Sequence, residues 1–204
     1  MPVPKCNLKI DWATHEAARY ACEKWHYSGC IPAGKLVKIG VWEDGQFVGV
    51  VLFGRGSSPF MAPNKGLKQT ECIELVRIAL TDHKTPVSRI VKIALIFLKK
   101  KTPGIKLVVS FADPDEGHHG GVYQAGNWIY NGESSPTVCY MINGKKTHAR
   151  SLGAKAGTVS LAAAKKFDPN ATKVHCPGKH RYLMPLDEET RVRMEKQRLP
   201  YPKK

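Results

Sequence analysis

The chain has 204 residues, 42% of them apolar, enough for one good core and at most a small appendage. A formal charge of +15 points to polyanionic partners, nucleic acid first, because lysine and arginine release counterions when they neutralise phosphates. No apolar run reaches the roughly 18 residues of a membrane span and no secretion signal opens the chain, so a soluble, cytoplasmic protein with no membrane partner is expected.

The six cysteines (Cys6, Cys22, Cys30, Cys72, Cys139, Cys176) form no CxxC pair, which argues against a zinc finger or a thioredoxin-like motif. They read as reduced thiols of an intracellular protein. Charge is uneven along the chain: from Gly144 onward there are 15 Lys/Arg against 5 Asp/Glu, so most of the positive field belongs to the last third.

In chain order, His15 to Trp25 reads as an amphipathic helix with Thr14 as N-cap and Ala17, Ala18, Ala21 and Cys22 on one face. KLVKIGVWE and QFVGVVLFG are β-rich runs separated by Asp44-Gly45, a strong hairpin signal. ECIELVRIAL is another strand, expected to place Ile73, Leu75 and Arg77 on one face and Cys72, Glu74, Val76 and Ile78 on the other. Pro86 suits the opening of a helix whose apolar positions Val87, Ile90, Val91, Ala94, Leu95 and Leu98 recur at helical spacing up to three lysines.

The strand VVSFAD follows, then a helix over Gly117 to Gly126 and a strand over Val138 to Ile142 ending at the Asn143-Gly144 turn. Farther on, Val159 to Phe167 reads as a short helix, HCPGKHRYLMPL as a strand closing the sheet, and Asp187 to Arg198 as a polar helix. The order β-α-β-β-β-α-β-α-β suggests an α/β fold: a mixed, mostly antiparallel central sheet with helices on both faces. One catalytic domain over residues 1–185 is expected, with a basic C-terminal helix and tail over 186–204.

The VVSFAD strand delivers Ser110 and Asp113 to a sheet rim, the usual address of ligand sites in open α/β folds. Together with WHYS at Trp25 to Ser28, the GVWEDGQFVGVVLFGRG hairpin, ECIELVRIAL and FADPDEGHHGGVYQAGNWIYNG, it resembles the Mom family of bacteriophage DNA-modification proteins over roughly residues 20 to 145. The resemblance implies a fold of the Gcn5-related N-acetyltransferase type. It also implies a transferase that places a carbamoylmethyl group on N6 of adenine in double-stranded DNA, shielding phage DNA from restriction. His26, Tyr27, Arg77, Asp113 and Tyr123 carry over as active-site candidates.

That chemistry makes demands. The adenine amine is a weak nucleophile buried in the duplex, so the base must be extruded, held against aromatic surface and relieved of a proton. Trp25, Tyr27, Tyr123 and Trp128 offer surfaces; His26, Asp113 and Tyr123 offer proton chemistry. Plainer roles compete with these: Asp113 before Pro114 can start a turn, and His26 can close a helix. Arg77 in an apolar strand should reach an anion, since a buried unpaired guanidinium is costly.

Acetyl-CoA is the donor implied by the fold family, with Arg77, Ser88, Arg89 and Ser110 as the cofactor-binding candidates. The glycine-rich pyrophosphate loop of that family is missing, because no glycine occurs between Gly66 and Gly104. Iron is implied by the family, with His26 and His118 as ligands beside Asp113 and His119; His175, Cys176 and His180 make a weaker cluster. Lys145, Lys146, Arg150, Lys165 and Lys166 are the candidate DNA contacts. Two other readings stand beside this one: a CoA-dependent N-acetyltransferase of a small amine or protein, and a non-catalytic DNA-binding protein.

Overall fold

A computed structural model describes residues 6–56 and 58–203. It divides into two units: one takes the chain up to Phe111, Gly120–Asn131 and everything from Arg181, and the other takes Ala112–His119 and Gly132–His180.

The first unit is built on a seven-stranded sheet in the order β1 (Leu8–Trp12), β2 (Leu36–Glu43), β3 (Gln46–Gly54), β4 (Cys72–Leu80), β5 (Leu107–Ala112), β10 (His180–Pro185), β6 (Ile129–Glu133). Strands β1 to β4 pair antiparallel in succession, and β4 pairs parallel with β5 from Cys72–Leu107 to Leu75–Ser110. The fold is thus mixed α/β with a mostly antiparallel sheet, as expected. Asp44 and Gly45 turn β2 into β3 with φ of 50° and 83°, the left-handed pair a two-residue hairpin needs.

Strand β3 is buried on both faces, from Val48 through Gly54, so each side of the sheet must be covered. Helix α1 (His15–Trp25) covers Val50, Leu52 and Ala79 with Ala18, Ala21 and Cys22, and Thr14 caps it by accepting from the Ala17 amide. Helix α2 (Val87–Lys101) buries Ile90, Val91, Ala94, Leu95 and Leu98, the spacing read in the sequence.

Two expectations are corrected. Between Leu52 and Phe53 the β3–β4 register slips, so Leu75 faces Phe53 and Arg77 faces Leu52 with Val76 as the extra residue. That bulge breaks the simple alternation of ECIELVRIAL and brings Val76 and Arg77 to the α1 side together. The strand that follows the short helix α3 (Gly121–Ala125) in the sheet is β6, whereas β7 (Thr137–Ile142) belongs to a separate sheet. Met194 of α6 (Glu188–Glu195) is sealed into a core cluster with Leu107, Val109, Ile129 and Leu183, because its side chain completes that layer.

The second unit holds a three-stranded antiparallel sheet in the order β8 (Lys145–His148), β7, β9 (Thr172–Cys176). Helices α4 (Ala149–Ala156) and α5 (Leu161–Lys165) pack Leu152 and Ala164 against Tyr140. Among the described residues no helix is long and apolar enough to cross a membrane.

Candidate active site

The site of the first unit sits where the parallel β4–β5 ladder ends. Ser110 Oγ donates to the Leu75 carbonyl at 2.8 Å, which leaves the hydroxyl to accept from Tyr123, whose phenol lies 2.7 Å away. Burial pushes the Tyr123 phenol up to about 12, opposed by the Ser110 hydrogen bond and helped by the nearby Tyr27 and Glu74. The ring itself packs between Trp128 and Tyr182, with centroids at 5.0 and 5.1 Å. Its helix can start only at glycine, because Gly120 has φ of 77° and an added Cβ would stand 2.3 Å from the Tyr182 ring.

Beside this group stands the end of α1. His26 Nδ1 lies 3.0 Å from Arg77 Nη1, and the Ser28 amide donates to the same nitrogen at 3.1 Å. Arginine can only donate, so the network assigns a neutral imidazole with its proton on Nε2. His26 is therefore not set up as a base at Nδ1. Tyr27 stacks on the His26 ring at 4.2 Å yet remains 60% exposed.

Arg77 reaches Cys30 Sγ at 4.0 Å through Nη2, while its Nε is buried with no hydrogen-bond partner. An orphaned guanidinium N–H is costly and fits the expected anion partner.

The sequence-named residues divide between the units. His26, Tyr27, Arg77, Ser88, Arg89, Ser110 and Tyr123 belong to the first, Asp113 and His118 to the second. Asp113 fills the turn-forming role: it accepts from the Asp115 amide at 3.1 Å, capping the short 3-10 turn Pro114–Glu116, and pairs with Lys179 at 2.7 Å. The His118 amide donates to the Asp113 carbonyl at 3.0 Å. His180 faces Glu133 at 3.4 Å.

Two of the stacking candidates are structural. Trp128 is core, only 1% exposed, and Trp25 packs on Phe47 and Tyr20. Glu74 reads in the sequence as one more alternating strand residue, and only the fold sets it beside Tyr123. Beside Glu74, Gly56 leaves the space its carboxylate occupies, since a Cβ there would stand 2.7 Å from Glu74 Oε2.

Among the described residues no group of three His, Cys, Asp or Glu side chains comes together to hold a metal ion. His26 does not suit a cation either, because a guanidinium already occupies its Nδ1 side. The iron expectation is not met by these residues.

Ser88 and Arg89 line an open groove of about 850 Å³ along α2, joined by Lys92, Lys99 and Arg191. Four cationic side chains and no carboxylate line it, together with Ile93 and Met184. Ser110 and Arg77 take no part in that groove: one is spent on Leu75 and Tyr123, the other on His26 and Cys30.

Of the five DNA candidates, Lys146 is tied to Asp115 in an ion pair that holds its ammonium protonated, and Lys145, Arg150, Lys165 and Lys166 are exposed.

Residues 7–203 match the Mom protein family. The chain belongs to it. This Mom family member is 26% identical to the methylcarbamoylase Mom of Escherichia phage Mu over 204 residues, 97% of this chain and 84% of that one. Among solved structures it is similar to an acetyltransferase of Acinetobacter baylyi, with a TM-score of 0.47, 11% identity and coverage of 91% and 95% of the two chains. A structure described as a phosphinothricin N-acetyltransferase gives the same score and identity over 89% and 100%.

Proposed function

We propose that this Mom family member is a phage DNA-modifying transferase that places a carbamoylmethyl group on N6 of adenine in double-stranded DNA. The observation that carries the reading is the grouping of Tyr27, Glu74, Arg77, Ser110 and Tyr123 at one sheet opening in a chain of that family. The relative from phage Mu, named a methylcarbamoylase, supports the class of group transferred.

Each residue has a task the chemistry requires. Exposed Tyr27, braced on His26, offers a face on which an extruded purine stacks. Tyr123 keeps its proton at neutral pH and, by turning that hydrogen away from Ser110 Oγ, would supply a hydrogen bond or a proton to the leaving side of the transfer. Glu74, close enough to Tyr123 to bear on its ionisation, is the carboxylate of this group that would receive the proton the N6 amine gives up as its new N–C bond forms. Arg77 holds developing negative charge through the N–H that now lacks a partner.

For the donor, the α2 groove suits a phosphate-bearing carrier such as acetyl-CoA: Arg89, Lys92, Lys99 and Arg191 would meet its phosphates, and Ile93 and Met184 its apolar arm. When bound, such a carrier would supply the two carbons of the group; because plain acyl transfer would join N6 to the carbonyl carbon, the carbamoylmethyl product also requires an amine donor for the amide nitrogen and a two-electron oxidant at the methyl carbon.

Expression of the protein with a reporter plasmid, followed by mass analysis of the nucleosides, tests the reading. Deoxyadenosine heavier by one carbamoylmethyl group is the expected product. Unaltered deoxyadenosine from cells that contain the folded protein would refute it.

A further inference from the structure

We propose that the end of the second unit formed by Phe167 and the Asn143–Gly144 hairpin tip is a wedge that enters the base stack of duplex DNA, with Lys145, Lys165 and Lys166 on the flanking phosphates. This rests on the DNA reading above and adds to it the element that unstacks the helix.

Helix α5 turns Ala163 and Ala164 inward and ends in Lys165 and Lys166, after which Phe167 stands 46% exposed. A single exposed ring is ordinary; this one is held in place. The Phe167 and Asp168 amides both donate to the Ala164 carbonyl, at 3.0 and 3.2 Å, and the Ala171 amide closes the loop on the Asp168 carbonyl at 2.9 Å.

The Asp168 carboxylate then fastens the loop to the hairpin. It accepts from the Asn143 amide at 2.8 Å on one oxygen and from the Asn170 amide at 2.9 Å on the other. Asn143 and Gly144 hold φ of 50° and 71°, a tight two-residue turn that presents Lys145 directly beyond it. An apolar ring on a braced loop thus stands beside a narrow hairpin tip.

The charge fits one partner. Lys145, Lys165 and Lys166 are exposed, three positive charges against the one negative charge of Asp168. Lysines position a protein on phosphates without reading sequence, and apolar side chains inserted between base steps unstack them, which lowers the cost of extruding a base. A ring on a braced loop fits a base step better than a fluid surface; the other exposed apolar side chains near it in the chain, Val159 and Leu161, lie at the opposite end of α5.

The test uses the full chain and a short duplex with 2-aminopurine at alternate adenines, whose fluorescence rises on unstacking. Wild-type protein and Phe167→Leu should raise the signal. Phe167→Ala should lose most of the rise and bind about 5–10-fold more weakly, with the salt dependence of binding unchanged. Lys165→Gln with Lys166→Gln should instead flatten the salt slope by about two.

Phe167→Ala protein with wild-type fluorescence and affinity, in a preparation that still modifies plasmid adenine, overturns the wedge and leaves the enzymatic reading standing. Absence of both DNA binding and modification in the wild type overturns both. Sedimentation with phosphatidylserine vesicles but not with DNA overturns the wedge in favour of a lipid surface. Because Phe167 is exposed, the unfolding midpoint of its variants should equal that of the wild type.

Discussion

The Tyr123 hydroxyl donates to Ser110 Oγ at 2.7 Å, and Ser110 passes its own hydrogen to the Leu75 carbonyl at 2.8 Å, so a phenol on a helix is wired to the last rung between β4 and β5. Ser110 is fully buried, so both partners lose their bond together if it is removed. Ser110→Ala should destabilise the protein by about 1–3 kcal/mol, the cost of leaving buried polar groups unpaired, read as a lower denaturant midpoint at unchanged slope. Tyr123→Phe keeps the ring between Trp128 and Tyr182 and should leave the fold intact while lowering adenine modification by about 10²–10⁴-fold.

The same phenol sets an alkaline limit. Burial raises its folded-state value to about 12 from 10.0, so its contribution to stability is complete below pH 10.0 and is lost as pH rises through about 12. Denaturation followed across that window should show a fall in wild-type stability that is smaller in Tyr123→Phe. An equal fall in the two proteins would show that other buried groups govern the transition, among them the Cys72 thiol, which burial also pushes up to about 12.

Arg77 holds His26 through one nitrogen and leaves Nε unpaired, so its two functions can be separated. Arg77→Lys keeps a positive charge but cannot span both positions, and should cut modification at least tenfold with little loss of stability. His26→Gln, which can still accept from Arg77, should retain more activity than His26→Ala. Nucleoside mass ratios from matched cultures measure both comparisons.

Met194 makes the C-terminal helix part of the first unit's core. Met194→Ala should cost about 2–5 kcal/mol by the cavity it leaves, and a chain ending at Pro185 should lose its cooperative transition. Calorimetry on the two proteins checks this, and a truncated chain that melts at the wild-type temperature would contradict it.

Much of the first unit was legible from local pattern. Asp44-Gly45 announces its turn because few residues accept positive φ, α2 shows its buried row at helical spacing, and Thr14 caps α1 where its hydroxyl can reach the Ala17 amide. The second unit was harder to read. Its strands are short and its apolar residues few, so β7 looked like the continuation of the first sheet and α4 left no clear signature.

The candidate site divides the same way. Chemistry-bearing side chains are recognisable by type and neighbourhood, which is why His26, Tyr27, Arg77, Ser110 and Tyr123 could be named from the sequence along with the family. What they do depends on partners distant in the chain. A bulge at Val76 turns Arg77 toward His26, a guanidinium decides which imidazole nitrogen keeps its proton, burial denies Trp128 any substrate, and Lys179 and a capped turn claim Asp113. Local order along the chain follows from backbone preference and apolar spacing, which each residue contributes on its own. Hydrogen-bond partnership and desolvation belong to pairs, and only folding brings the pairs together.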